Sequence, residues 1–85
     1  MEKSTLVLYM RNKCHLCELA RESIQLLKNE FDFSYMEVDI DQSDELTEKY
    51  GIMIPVVEID GEEVQFGHID SFTISEALMT KGKTK

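Results

Sequence analysis

Five apolar residues in succession, Leu6-Val7-Leu8-Tyr9-Met10, are followed by the short polar loop Arg11-Asn12-Lys13. An uninterrupted run of that length predicts a strand over Thr5 to Met10, buried on both faces. From Cys14 onward the pattern changes period: Leu16, Ala20, Ile24, Leu27 and Phe31 recur at spacings of three and four, predicting an amphipathic helix that ends near Asn29 or Glu30. Phe33 to Asp39 then alternates, with Phe33, Tyr35 and Glu37 toward one side and Met36 and Val38 toward the other, as a second strand parallel to the first through a βαβ crossover.

The second half is punctuated by turn chemistry. Asp41-Gln42-Ser43-Asp44 offers N-cap candidates for a short helix, Asp44 to Tyr50, and Gly51 is placed to end it in a left-handed conformation. Ile54-Pro55-Val56-Val57-Glu58-Ile59 reads as a strand whose proline belongs at its start or at an edge. Asp60-Gly61 is a two-residue hairpin signal, and Glu62 to Phe66 returns as the antiparallel partner. Gly67 breaks that strand, and Asp70 or Ser71 caps a final helix carrying Phe72, Ile74, Ala77, Leu78 and Met79. The predicted order is β-α-β-α-β-β-α, and Tyr9, Tyr35, Phe31, Phe33, Phe66 and Phe72 are assigned to the core by default.

Length adds a bound: 85 residues make one small domain, 1–85, with no repeat or linker and with residues 81–85 expected as a frayed tail. The net charge of −8 is uneven. Residues 31–70 hold twelve acidic side chains against Lys49 alone, whereas residues 1–30 carry five Lys/Arg and four Glu. Nucleic acid and anionic membrane both require a basic patch, so neither is expected as a partner. No run approaches the roughly 18 apolar residues of a membrane span, and the N-terminus lacks a small-residue cleavage pattern, so the expected location is the cytoplasm.

Candidate chemistry concentrates in Cys14-His15-Leu16-Cys17, which holds both cysteines of the chain. At the start of a helix a thiolate meets unpaired backbone N–H groups and the positive end of the helix dipole, which favours a nucleophilic sulfur. Cys17 lies one turn further on the same face, within reach for a reversible disulfide. Such a bond closes a tiny loop and stabilises folding by only about 2 kcal/mol, so chemistry explains the pair better than scaffolding does. Lys13 and His15 flank the first cysteine as candidates for tuning its reactivity. The alternative use of the pair is as a metal or iron–sulfur site for delivery, which needs a second chain or an exogenous ligand to complete it.

Cys-x-x-Cys after the first strand, Ile54-Pro55 before the Asp60-Gly61 hairpin, and Gly67 and Asp70 before the last helix together resemble a glutaredoxin-like member of the thioredoxin superfamily, over essentially the whole chain. The resemblance implies a thioredoxin fold with a four-stranded mixed sheet. It implies a dithiol thiol–disulfide oxidoreductase, with Cys14 attacking a substrate disulfide and Cys17 resolving the mixed disulfide. It further implies a cis Pro55 facing the first cysteine, with the Ile54 backbone pairing with extended substrate. Arg11, Gly67 and Asp70 fall where side chains and backbone of such proteins meet glutathione. His15-Leu16 stands where dithiol glutaredoxins have Pro-Tyr, Met53-Ile54 where they have Thr-Val, and one glycine remains of a Gly-Gly pair. The expected protein is a monomer with no bound cofactor. It acts on protein or small-molecule disulfides and is recharged by glutathione or a disulfide reductase.

Overall fold

Alternate residues of the first strand divide the molecule into two layers. In the computed structural model, which describes residues 4–83, the chain runs β1 (Thr5–Met10), α1 (His15–Lys28), β2 (Ser34–Asp39), a single 3₁₀ turn (Ile40–Gln42), α2 (Asp44–Tyr50), β3 (Val56–Ile59), β4 (Glu62–Phe66) and α3 (Ser71–Lys83). Leu6, Leu8 and Met10 of β1 are buried in one cluster with Cys17, Ala20, Ile24 and Leu27 of α1, Val57 and Ile59 of β3, and Ile74 and Leu78 of α3. Tyr9 points the other way, into a smaller cluster of Ile40, Tyr50 and Val56 beneath α2. The strand is therefore covered on both faces, as its unbroken apolar run predicts.

The sheet order is β2-β1-β3-β4. β1 pairs with β2 in parallel, from Thr5 against Ser34 to Met10 against Asp39, and with β3 antiparallel. β3 and β4 form the hairpin, whose register slips between Val57 and Glu58 so that Val64 is the extra residue of a β-bulge. Asp60 at φ 53° and Gly61 at φ 87° give the turn positive φ at both central positions, the geometry whose twist matches that of the flanking strands. The tip is fastened to the start of β1: the Asp60 N–H donates to the Thr5 carbonyl at 2.9 Å and the Thr5 N–H to Asp60 Oδ1 at 3.0 Å.

Helix ends follow the predicted capping with one exception. Ser43 caps α2 by accepting from the Leu46 N–H at 3.2 Å, and Asp70 caps α3 by accepting from the Thr73 N–H at 2.8 Å. Gly51 is not left-handed; its φ of −54° continues the helical turn. Glycine is required there by proximity instead, since a Cβ would lie 2.4 Å from the Thr47 carbonyl oxygen.

Three apolar residues assigned inward face solvent: Leu16 is 43% exposed, Phe66 54% and Phe72 70%. Each sits at the end of its element, where the chain has not yet turned into the core or is leaving it, and Cys17 takes the inward position of the first turn of α1 in place of Leu16. α3 extends to Lys83, and the remainder of the tail expected at 81–85 lies outside the described residues.

Candidate redox site

At the C-terminal end of β1 the loop Arg11-Asn12-Lys13 turns the chain into α1. Lys13 adopts φ 59°, a left-handed conformation that costs a side-chain-bearing residue roughly 1–2 kcal/mol. That twist delivers Cys14 as the N-cap of α1, at φ −114° and ψ 111°. Its sulfur accepts a hydrogen bond from the Cys17 N–H at 3.2 Å, taking the part that a serine or aspartate oxygen plays at other helix starts. The helix so begins at His15, with Cys14 half-exposed just outside its first turn.

Cys17 lies beneath, 2% exposed and packed in the core. Burial, followed by the hydrogen bond it shares with Cys14, pushes its thiol up from 9.0 to about 12; the backbone N–H of Arg11 works in the opposite sense. The two sulfurs thus occupy unlike settings, one at the surface on a helix terminus and one held protonated under it.

The remaining predicted site residues divide into those drawn toward this corner and those already engaged. The Ile54-Pro55 bond is cis. Ile54 and Cys14 both border the main core cluster, and the Gly67 N–H donates to the carbonyls of Met53 at 3.0 Å and Pro55 at 2.8 Å, so the turn after β4 is tied to the segment before β3. Gly67 holds φ 80°, which only glycine adopts without cost. The Ile54 N–H donates to the Tyr50 carbonyl at 3.1 Å, leaving that donor spent and only the carbonyl to consider for pairing with an extended substrate. Lys13 and His15 are exposed beside Cys14.

Arg11 and Asp70 are committed elsewhere. The Arg11 guanidinium grips Asp41 Oδ1 through Nε at 3.2 Å and Nη2 at 2.9 Å, bracing the β1–α1 loop against the 3₁₀ turn. Asp70 accepts from the Thr73 N–H and hydroxyl and from the Gln65 amide at 3.0 Å, while its own N–H donates to Gln65 Oε1. These bonds hold its carboxyl below the usual carboxylate range, the Thr73 N–H foremost. Sequence reasoning gave Asp41 only as an N-cap candidate, missing its pairing with Arg11, and missed Gln65 and the left-handed conformation of Lys13. Asp41 is thirty residues from its partner, and nothing in local pattern marks such a pair.

Beside Cys17 the structure has a cavity of about 60 Å³, lined by Met10, the loop Arg11-Asn12-Lys13, Cys17, Glu18 and Arg21. Arg21, on its wall, pairs with Glu37 on β2, with Nε and Oε2 2.7 Å apart, and Tyr35 donates to the same carboxylate at 2.6 Å. Among the described residues no three His, Cys, Asp or Glu side chains converge as a metal site. No helix there is long and apolar enough to cross a membrane.

Comparison with known proteins gives a consistent result. The family described as "Glutaredoxin-like domain (DUF836)" matches residues 5–79. A solution structure of a structural-genomics protein from Nitrosomonas europaea is 31% identical, with a TM-score of 0.79 over 92% of this chain and 94% of that one. One from X. campestris is 29% identical, with a TM-score of 0.75 over 88% and 96%. A mutant thioredoxin from Halobacterium salinarum shares the fold at 20% identity and a TM-score of 0.71, over 93% of this chain and 74% of that one. No curated protein matches the sequence. With three helices around a four-stranded mixed sheet and a family match across nearly its full length, the chain belongs to the glutaredoxin-like domain family and has the thioredoxin fold.

Proposed function

We propose that the protein is a dithiol thiol–disulfide oxidoreductase that reduces protein or small-molecule disulfides through a Cys14–Cys17 couple. The observation that carries this reading is the asymmetry of the pair: Cys14 sits at a helix N-cap with the Cys17 N–H on its sulfur at 3.2 Å, and Cys17 is buried one turn behind it. A surface sulfur facing helix N–H groups suits nucleophilic attack on a substrate disulfide. A covered sulfur close behind is shielded from outside reagents and positioned to attack Cys14, releasing reduced substrate and leaving a Cys14–Cys17 disulfide.

Electrons then come from glutathione or from a disulfide reductase. A protein reductant is the reading the geometry favours, because Arg11 and Asp70, two of the side chains that glutathione would need, already hold Asp41 and the α3 cap. The protein works as a monomer, without a bound cofactor, in a reducing compartment such as the cytoplasm. Iron–sulfur or metal delivery would need ligands from beyond this chain, since the described donors do not converge in threes.

The test is titration of reduced protein against glutathione redox buffers with acid quench and alkylation, together with an absorbance scan. A colourless protein with a reversible two-electron couple between about −180 and −280 mV supports the oxidoreductase. A chromophore lost with iron, or no intramolecular disulfide, overturns it. Cys14→Ser is expected to abolish disulfide reduction. Cys17→Ser is expected to accumulate mixed disulfides while keeping activity on glutathione adducts.

A further inference from the structure

Resolution of a mixed disulfide asks Cys17 to give up a proton at the moment when substrate covers Cys14. Burial holds that thiol protonated, and among the described residues no side chain with a charge is itself buried. A proton leaving past Cys14 would meet the bound substrate. The cavity of about 60 Å³ beside Cys17 offers another way out: its walls come from the end of β1, the β1–α1 loop and the first two turns of α1, and include none of Cys14, Ile54, Pro55 or Gly67. It has room for a few waters, and polar groups enough to hold them.

Among its lining residues Glu18 is the one carboxylate. Arg11 and Arg21 point their charge at Asp41 and Glu37, whereas the Glu18 carboxylate makes no ion pair or hydrogen bond among the described residues, its backbone N–H alone donating to the Cys14 carbonyl at 3.0 Å. It follows Cys17 directly in the first turn of α1. Resting on the dithiol reading above, we infer that this cavity is the proton exit of the resolving thiol, and that Glu18 accepts the Cys17 proton through a water in the cavity as the Cys17 sulfur attacks Cys14.

The step balances. The Cys17 S–H bond breaks and its proton passes to the water, which gives one to the Glu18 carboxylate. A sulfur–sulfur bond forms between Cys17 and Cys14, and the bond from Cys14 to the substrate sulfur breaks. The electron pair departs on the substrate thiolate, and Glu18 returns its proton to solvent. The groups acting on Cys17 are the Cys14 sulfur and the Arg11 backbone N–H and guanidinium; Lys13, Glu18 and Arg21, the last paired with Glu37, line the same cavity, and the cations offset negative charge as it develops on the sulfur.

The experiment follows two successive releases of thionitrobenzoate when reduced protein meets excess dithiobis(nitrobenzoate), by stopped flow across pH. The first release reports attack by Cys14 and the second reports resolution by Cys17. In the wild type, general-base catalysis gives a second phase nearly independent of pH from about pH 6 to about pH 8. In Glu18→Gln the first phase is unchanged. Its second phase falls at least roughly tenfold at pH 7 and rises tenfold per pH unit, as expected when hydroxide alone removes the proton. A Glu18→Gln second phase with the wild-type rate and profile overturns this inference and leaves the dithiol reading intact. A wild-type protein that releases one thionitrobenzoate and never the second overturns the dithiol reading itself.

Discussion

On the face of the sheet covered by α1 and α3, Leu6, Leu8, Val57 and Ile59 meet Ala20, Ile24, Ile74 and Leu78, and among the described residues the one titratable side chain buried there is the Cys17 thiol. On the face covered by α2, Ile40 and Val56 share their space with two stacked tyrosines, Tyr9 and Tyr50, whose ring centres are 4.5 Å apart. Both hydroxyls donate to the two oxygens of Glu58, at 3.3 and 3.0 Å. A small helix of seven residues cannot exclude water from a whole sheet face, so that side is closed by amphipathic rings and a shared carboxylate. The dry side fixes α1, and with it the position of both cysteines.

The most forceful way to break this contrast is to hollow out each side in turn. Ile24 and Ile40 are both fully buried, so truncation to alanine falls within about 2–5 kcal/mol for each. Ile24→Ala is expected in the upper half of that range and Ile40→Ala in the lower, where polar neighbours relax toward the gap. Urea unfolding midpoints check this, and equal losses would erase the distinction.

Alkaline titration sharpens it. The Cys17 thiol is raised in the folded state from 9.0 to about 12, so folding favours its protonated form. Its contribution to stability is intact below about pH 9 and is lost as pH climbs toward 12. Cys17→Ala is expected to lack that decline in the reduced protein, as read from unfolding midpoints across pH. Tyr9 and Tyr50 are also raised above 10.0, by burial first and then by Glu58, and their share is lost only above about pH 10.

A smaller change comes from Tyr50→Phe, which removes one hydrogen bond to Glu58 and is expected to cost about 1 kcal/mol at neutral pH, with part of the decline above pH 10 removed too. Smallest of all is Glu37→Gln at the rim, where Arg21 and Tyr35 hold the carboxyl below its usual range. Its contribution is present at neutral pH and fades as pH falls through the lowered value. Because the Arg21–Glu37 pair is partly open to solvent, unfolding at pH 7 should register no more than about 1 kcal/mol.

What the sequence made legible is governed by how local each signal is. The bounds of α2 and β4, the Asp60-Gly61 turn and the helix start at the cysteine pair each arise within a few residues of chain, and the structure has them as read. The cis Pro55 came from resemblance, since nothing in Ile54-Pro55 distinguishes it from a trans pair. Features set by distant partners stayed hidden: Arg11 with Asp41, Tyr9 with Glu58, and Asp70 with the amide of Gln65. Phe72 and Phe66 misled because aromatic character says core, while position at the end of an element says surface. Gly51 misled because a glycine after a helix reads the same whether the chain needs a left-handed turn or merely room beside the Thr47 carbonyl.

The bulge at Val64 has a consequence for life in a crowded solution. β4 is an outer strand of the sheet, and an unguarded outer strand is a template on which a neighbouring chain can add its own. Here the pleat is interrupted midway, and Glu62 and Glu63 stand at the strand's beginning. An arriving copy would have to match a broken hydrogen-bond ladder and bring its own carboxylates against these. The irregularity that costs the hairpin one orderly pair therefore acts as a guard against fibril growth.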